Sequence, residues 1–120
     1  MARDTFTANV PKEIIEHPDF YEWRNRLDGS SIRSIEVALA KIKIFGIVQS
    51  VKSLGNGLFE RKWNDGLRLY FAVVLETDGQ YTLLLLGSGK GREQEAAIRR
   101  CKEKLSKLNV FKGSLDLKDE

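Results

Sequence analysis

The stretch from Gly57 to Gly91 most constrains the fold, because its pattern predicts three consecutive β-strands joined by two tight turns. Asn64-Asp65-Gly66 suits a three-residue hairpin loop, in which Asn and Asp fit a type I turn and Gly takes the left-handed position. Thr77-Asp78-Gly79 has the same chemistry. The flanking runs are rich in aromatic and β-branched residues, as strands require. The stretch therefore predicts a three-stranded antiparallel meander.

The first turn also predicts which side chains share a face of the meander. With Asn64 to Gly66 as the loop, Lys62 pairs with Arg68 and Glu60 pairs with Tyr70, so these four side chains point to one face. Two facing cations repel by roughly 0.2–1 kcal/mol, which Glu60 or a bound anion would offset. Spacing alone leaves two interpretations open, a solvated polar face and an anion site. The opposite face is predicted to enter the core with Phe59, Trp63, Leu67, Leu69, Phe71 and Val73.

Length and composition predict a single soluble domain. The chain has 120 residues, of which 42% are hydrophobic and 31% charged, and it contains no apolar run near the ~20 residues that span a bilayer. One cysteine forms no internal disulfide, and no Cys/His group has metal-ligand spacing. We therefore expect a cytoplasmic protein without a membrane segment, a metal or a cofactor. Residues 61–108 hold 10 basic and 6 acidic residues, a balance of +4 that suits an acidic or polyanionic partner.

The segment before the meander predicts a short strand and two helices. Residues 12–16 suit a strand, and His17 precedes a helix with Pro18 in its first turn. That helix is expected to end at Asp28-Gly29. Ser31 is predicted to cap a second helix from about Ile32 to Gln49. The core-facing positions of the two helices are predicted to be Phe20, Trp23, Leu27, Ile32, Ile35, Leu39 and Ile42.

The segment after the third strand predicts a glycine-rich loop and a last helix. Gly87 to Arg92 departs from P-loop spacing, so a flexible loop presenting Lys90 and Arg92 is favoured over a nucleotide site. A helix is predicted from about Glu93 to Leu108, with its cations on a solvated face. Cys101 lies on the apolar side of this helix and is interpreted as a buried packing residue rather than a nucleophile.

Four motifs in this order resemble the RelE/ParE superfamily of toxins, and most closely its HigB-like branch of phage-derived addiction-module killer proteins. They are Phe20–Trp23, the passage SVKSLGNGLFERK at residues 50–62, GLRLYF at residues 66–71, and the apolar strand with Gly-Ser-Gly-Lys at residues 83–90. The resemblance implies an α+β fold with a short N-terminal strand, two helices, a three-stranded antiparallel meander and a C-terminal helix. It covers residues 12–108, between an extension at 1–11 and a tail at 109–120. The chain departs from the family pattern at Arg61, Gly89 and Gly91.

The resemblance implies a ribosome-dependent mRNA endonuclease that needs no metal. In this chemistry a ribose 2′-hydroxyl attacks the adjacent phosphate, which requires a base, an acid and cations. Arg68 would stabilise the charge on phosphorus, and Lys62 and Lys90 would hold neighbouring phosphates. Tyr70 would stack a base or donate a proton, and Glu60 would act as base or orient Lys62. The general base stays unassigned, and the implied catalytic residues are Glu60, Lys62, Arg68 and Tyr70.

The resemblance also implies RNA contacts and partners. The implied RNA-binding residues are Lys52, Arg61, Lys90 and Arg92, and the implied partners are the ribosome, mRNA and an antitoxin with a helix-turn-helix DNA-binding domain. Two alternatives stay open, a non-catalytic toxin that acts on a topoisomerase and an inactive binding module of the same fold. An endonuclease requires Arg68 and its lysines, so Arg68→Ala is expected to abolish toxicity and to leave the fold intact.

Overall fold

A computed structural model describes residues 10–47, 51–75, 79–90 and 94–108. The strands of this part are β1 (Glu13–Glu16), β2 (Lys52–Gly55), β3 (Leu58–Lys62), β4 (Leu67–Leu75) and β5 (Tyr81–Lys90). The helices are α1 (Pro18–Arg24), α2 (Gly29–Phe45) and α3 (Gln94–Ser106). The predicted α+β fold, with its first strand, two helices, meander and last helix, is confirmed. Most of the predicted N-terminal extension and all of the predicted tail lie outside the described residues.

The five strands form one sheet in the order β1-β5-β4-β3-β2. β1 runs parallel to β5, and the other neighbours pair antiparallel. The predicted register of the first hairpin is confirmed, since Glu60 pairs with Tyr70 and Lys62 with Arg68. Gly66 has φ 92° and closes the turn. In the second turn Gly79 has φ 86°, while Thr77 and Asp78 lie outside the described residues.

Strand β2 was not predicted, because residues 52–57 lack the β-branched alternation of a strand. In the structure, Lys52 pairs with Glu60 and Ser53 with Phe59. Asn56 and Gly57 have φ of 57° and 83°, and two positive φ angles in succession are typical of the type I′ hairpin turn. The Asn-Gly pair was the local signal for this hairpin.

Both faces of the sheet are covered by helices. On one face, α1 and α2 enclose a core to which Phe20 and Ile35 contribute, and which contains the predicted Phe59, Leu67, Leu69, Phe71 and Val73, with Trp63 half-buried at its edge. On the other face, α3 buries a second cluster formed by Leu58, Tyr70, Ala72, Leu86, Ala97, Cys101 and Leu105. Within the described ranges, no helix is both long and apolar enough to cross a membrane.

Helix α2 begins earlier and ends earlier than predicted. Its N-cap is Asp28 and not Ser31, because the Asp28 carboxylate accepts a hydrogen bond from the Ser31 backbone N–H at 2.7 Å. That bond, together with the nearby Lys90, lowers the pKa of Asp28. Gly46 has φ 83° and ends the helix at Phe45. Helix α1 ends at Arg24, before the predicted Asp28-Gly29 stop, and His17 caps its start.

The predicted flexible loop at residues 87–92 is wrong for its described part, because β5 continues through Lys90. The glycines let α3 approach the strand, since a Cβ on Gly87 would lie 2.7 Å from Cys101 Sγ. A β-bulge beside Tyr70 and Phe71 interrupts the ladder there, and Lys104 Nζ donates to the Leu86 carbonyl oxygen at 3.1 Å. Lys104 therefore anchors the helix and does not belong to a solvated face.

Candidate nucleic-acid site on the meander

Strands β2, β3 and β4 bring four of the predicted site residues together at one end of the sheet. Glu60, Lys62 and Arg68 share the α3 face, and Lys52 joins them because it pairs with Glu60 across β2 and β3. We call Lys52, Glu60, Lys62 and Arg68 the Arg68 cluster. Lys52 and Lys62 are exposed. The cluster thus combines two accessible ammonium groups with one guanidinium and one carboxylate.

Arg68 and Glu60 form an ion pair that is largely buried. Arg68 Nε lies 3.3 Å from Glu60 Oε2, and the two side chains are 14% and 9% exposed. Within the described residues, this nitrogen makes no aligned hydrogen bond. The Ser88 hydroxyl donates to the Arg68 carbonyl oxygen and fixes the backbone at this position. Glu60 therefore offsets the charge of Arg68, and this pair is withdrawn from solvent while Lys62 stays exposed.

Tyr70 lies beneath α3 and is fully buried. A Cβ on the neighbouring Gly89 would lie 3.7 Å from its hydroxyl and 3.8 Å from Ala97 Cβ. This burial leaves no ring face on which a base could stack, in contrast to the prediction, because α3 occupies that side of the sheet. Burial, with a smaller contribution from the Glu60 carboxylate, raises the pKa of Tyr70 to about 12. The phenol is therefore neutral at physiological pH.

Alkaline pH should destabilise the protein through Tyr70. Its pKa is about 12 in the folded chain and about 10 in the unfolded chain, so the unfolded state loses its proton first and stability falls between pH 10 and pH 12. The loss from this residue is at most on the order of 3 kcal/mol. Urea unfolding of the wild type and of Tyr70→Phe at pH 8 and pH 11 measures it. Tyr70→Phe should lose less stability between these pH values, and an equal loss would contradict the assignment.

Lys90 lies on the opposite face of the sheet from the Arg68 cluster, since it pairs with Leu67. Its ammonium is 3.6 Å from carboxylate oxygens of both Asp28 and Asp65, and 3.3 Å from Ser31 Oγ. These contacts join the first hairpin turn to the start of α2. The predicted grouping of Lys90 with Arg68 is therefore wrong, because the residues alternate sides of the strands.

The two remaining predicted RNA contacts do not join the cluster either. Arg61 lies on the α2 face, where its guanidinium stacks on the Trp63 ring at 4.2 Å from the ring centre. Arg92 lies outside the described residues. The carboxylates that bind Lys90 were not predicted, because they are far from it in sequence. The contact between Arg61 and Trp63 had a local signal, since residues two apart along a strand point to the same face.

A sheet with two helices on one face and a third helix on the other is the fold of the RelE toxins. The structure of a free E. coli RelE mutant, with two arginines changed to alanine, matches with a TM-score of 0.59 and 11% sequence identity, over 76% of this chain and 94% of that one. The crystal structure of the isolated E. coli RelE toxin matches with a TM-score of 0.54 and 16% identity, over 72% and 95%. No protein-family model and no curated protein sequence matches the chain.

Proposed function

We propose that this protein is a toxin of the HigB-like branch of RelE/ParE toxins that cleaves mRNA on the ribosome. The observation that carries the proposal is the Arg68 cluster, in which one held guanidinium lies beside two exposed lysines at the end of a RelE-type sheet. A guanidinium matches phosphate oxygens with a fixed fork of N–H donors. The proposed partners are the ribosome, mRNA and a helix-turn-helix antitoxin, all in the cytoplasm.

In the proposed reaction, the ribose 2′-hydroxyl gives its proton to the base, which stays unassigned, and its oxygen forms a bond to phosphorus as the bond to the 5′-oxygen breaks. Negative charge builds on the phosphoryl oxygens, and Arg68 would stabilise it. Lys52 and Lys62 would bind the flanking phosphates. Glu60 holds Arg68 in place, which favours a positioning role over that of general base. Tyr70 would donate a proton to the 5′-oxygen only with α3 displaced, since the helix covers its hydroxyl.

The burial of Arg68, Glu60 and Tyr70 favours one alternative, an inactive binding module of the same fold. Such a module would bind an antitoxin or the ribosome without cutting RNA. A toxin directed at a topoisomerase would depend on helix surfaces rather than on Arg68. The three functions therefore differ in what the Arg68 cluster contributes.

Mapping of mRNA 5′ ends after induced expression tests the proposal. The wild type should produce cuts in translated messages that keep one reading frame. The double variant Glu60→Gln/Arg68→Gln replaces the ion pair by two neutral amides that can hydrogen-bond to each other, and cleavage should fall about 100-fold or more, as on loss of one transition-state donor. Lys107→Gln removes an exposed cation at the end of α3 and should cut like the wild type.

Thermal melts of both variants establish that they are folded. Undiminished cleavage by a folded Glu60→Gln/Arg68→Gln protein would contradict the proposed role of Arg68 in catalysis. Growth arrest without frame-locked cuts would favour a topoisomerase or another target, and no arrest by the wild type would favour the inactive module.

A further inference from the structure

A cleft of about 430 Å³ lies between α2 and β3, on the face of the sheet opposite the Arg68 cluster. This volume is within the range of ligand pockets, about 300–1,000 Å³. Its lining includes Arg33, Val37 and Lys41 from α2, and Arg61 and Trp63 from β3 and its end. We call these five residues the α2–β3 cleft. No step of the proposed cleavage uses it.

The described charged residues of the α2–β3 cleft are all positive. They are Arg33, Lys41 and Arg61. Within the described part of the chain, none of these three cations has an ion-pair partner at 4 Å or less. The acidic residue of α2, Glu36, lies 3.6 Å from Arg24 instead. No carboxylate of residues 10–47, 51–75, 79–90 or 94–108 therefore pairs with the cations of the cleft.

Arg61 is the most constrained of these cations. Its guanidinium lies over the Trp63 ring, and a guanidinium in a cation–π contact keeps N–H donors for an anion. Burial lowers the pKa of Arg61, because part of its hydration is lost without a compensating carboxylate. A carboxylate from outside would restore the missing partner.

Apolar side chains continue the cleft along α2. Val37, Ile44 and Phe45 are 49%, 67% and 58% exposed. Relative to Val37, residues 41, 44 and 45 follow at four, seven and eight positions, so they lie on the same side of the helix. The exposed side of α2 thus alternates aliphatic groups with the Lys41 ammonium.

We propose that the α2–β3 cleft binds an acidic segment of a partner protein, whose carboxylates contact Arg33, Lys41 and Arg61 and whose apolar side chains cover Val37 and Ile44. Charge complementarity favours such a segment, and the exposed aliphatic groups distinguish it from RNA. The Trp63 ring already carries Arg61, so the described cleft offers no free aromatic face on which a base could stack. In a toxin–antitoxin pair the antitoxin would supply the segment; that one identification rests on the proposed function.

Fluorescence anisotropy with the purified full chain tests this proposal. The probe is a fluorescein-labelled amphipathic peptide of Glu, Leu and Ala, titrated at physiological salt. Lys41→Glu should weaken its binding about tenfold or more, because it places a like charge against the peptide. Lys43→Glu makes the same charge change on the other side of α2 and should alter binding by no more than about twofold. Ile44→Ser should weaken binding about threefold or more.

Two further probes define the chemistry of the ligand. A scrambled peptide of the same composition should bind more weakly, and an uncleavable 2′-O-methyl oligoribonucleotide should not displace the amphipathic peptide. The proposal is overturned by absence of saturable binding, by equal losses in Lys41→Glu and Lys43→Glu, or by displacement with the oligoribonucleotide. Glu60→Gln/Arg68→Gln should bind the peptide like the wild type, so failure of the cleavage and failure of the cleft are distinguishable.

Discussion

Leu69→Asp is expected to leave no folded protein. Leu69 is fully buried in β4 and belongs to the core cluster with Phe71 and Ile35. Truncating such a residue costs about 2–5 kcal/mol, and an unpaired carboxylate in an apolar core adds several kcal/mol more. A domain of this size has a total stability of about 5–15 kcal/mol. Far-ultraviolet circular dichroism and urea unfolding should show no cooperative transition.

Lys62→Asp is the matched control, because it introduces the same carboxylate on the opposite face of the same hairpin. Lys62 is exposed and pairs with Arg68, so the new carboxylate gains a facing cation. Its stability should stay within about 1 kcal/mol of the wild type. A cooperative transition in Leu69→Asp with wild-type midpoint would mean that the two faces of β4 are reversed.

The register and the core face of the first hairpin were predictable, because both depend on a local signal. Asn64-Asp65-Gly66 marks the turn, and the alternation of side chains then assigns Leu69 and Arg68 to opposite faces. Strand β2 has an equally local turn at Asn56-Gly57, but its own residues, Lys52 to Gly55, have weak strand propensity. Its strand conformation comes from pairing with β3, which is a tertiary contact.

The second buried face was not predictable from the polar pattern. The charged residues Glu60, Lys62 and Arg68 allowed a solvated face on the side of Tyr70. In the structure, α3 covers this face at Tyr70 and at its neighbour Ala72. Only the glycine at position 87 hinted at a close approach, which the Cys101 side chain makes. The partners of Lys90 likewise depend on how distant segments meet.

The likeness to RelE at 11% identity follows from the same physics. The fold is specified by turns, alternation and apolar positions, and many sequences satisfy these requirements. Exposed residues such as Lys52 and Lys62 are free to vary without changing the sheet. The proposed activity therefore rests on the chemistry of the Arg68 cluster and on its measurement, and not on the superposition.

Arg68→Ala is expected to destabilise the protein by about 2–4 kcal/mol, near the lower part of the range for breaking a buried ion pair. The expectation that this change leaves the fold intact is therefore revised, because Glu60, which is 9% exposed beside Arg68, would lose its guanidinium partner. Urea unfolding of the wild type, Arg68→Ala, Glu60→Ala and Glu60→Ala/Arg68→Ala measures the coupling between the two side chains. Glu60→Ala/Arg68→Ala should lose at least about 1 kcal/mol less stability than the sum of the losses in the two single variants.

This cycle also determines how Arg68 toxicity data are interpreted. If the coupling is as large as expected, Arg68→Ala reduces both the stability of the protein and its proposed catalysis. The neutral variant Glu60→Gln/Arg68→Gln is then the one that measures the effect on catalysis alone. A cost below about 0.5 kcal/mol with no coupling would instead place the pair among solvent-screened surface contacts. Arg68 would then be free to leave Glu60 for a phosphate, because no buried carboxylate would be left unpaired.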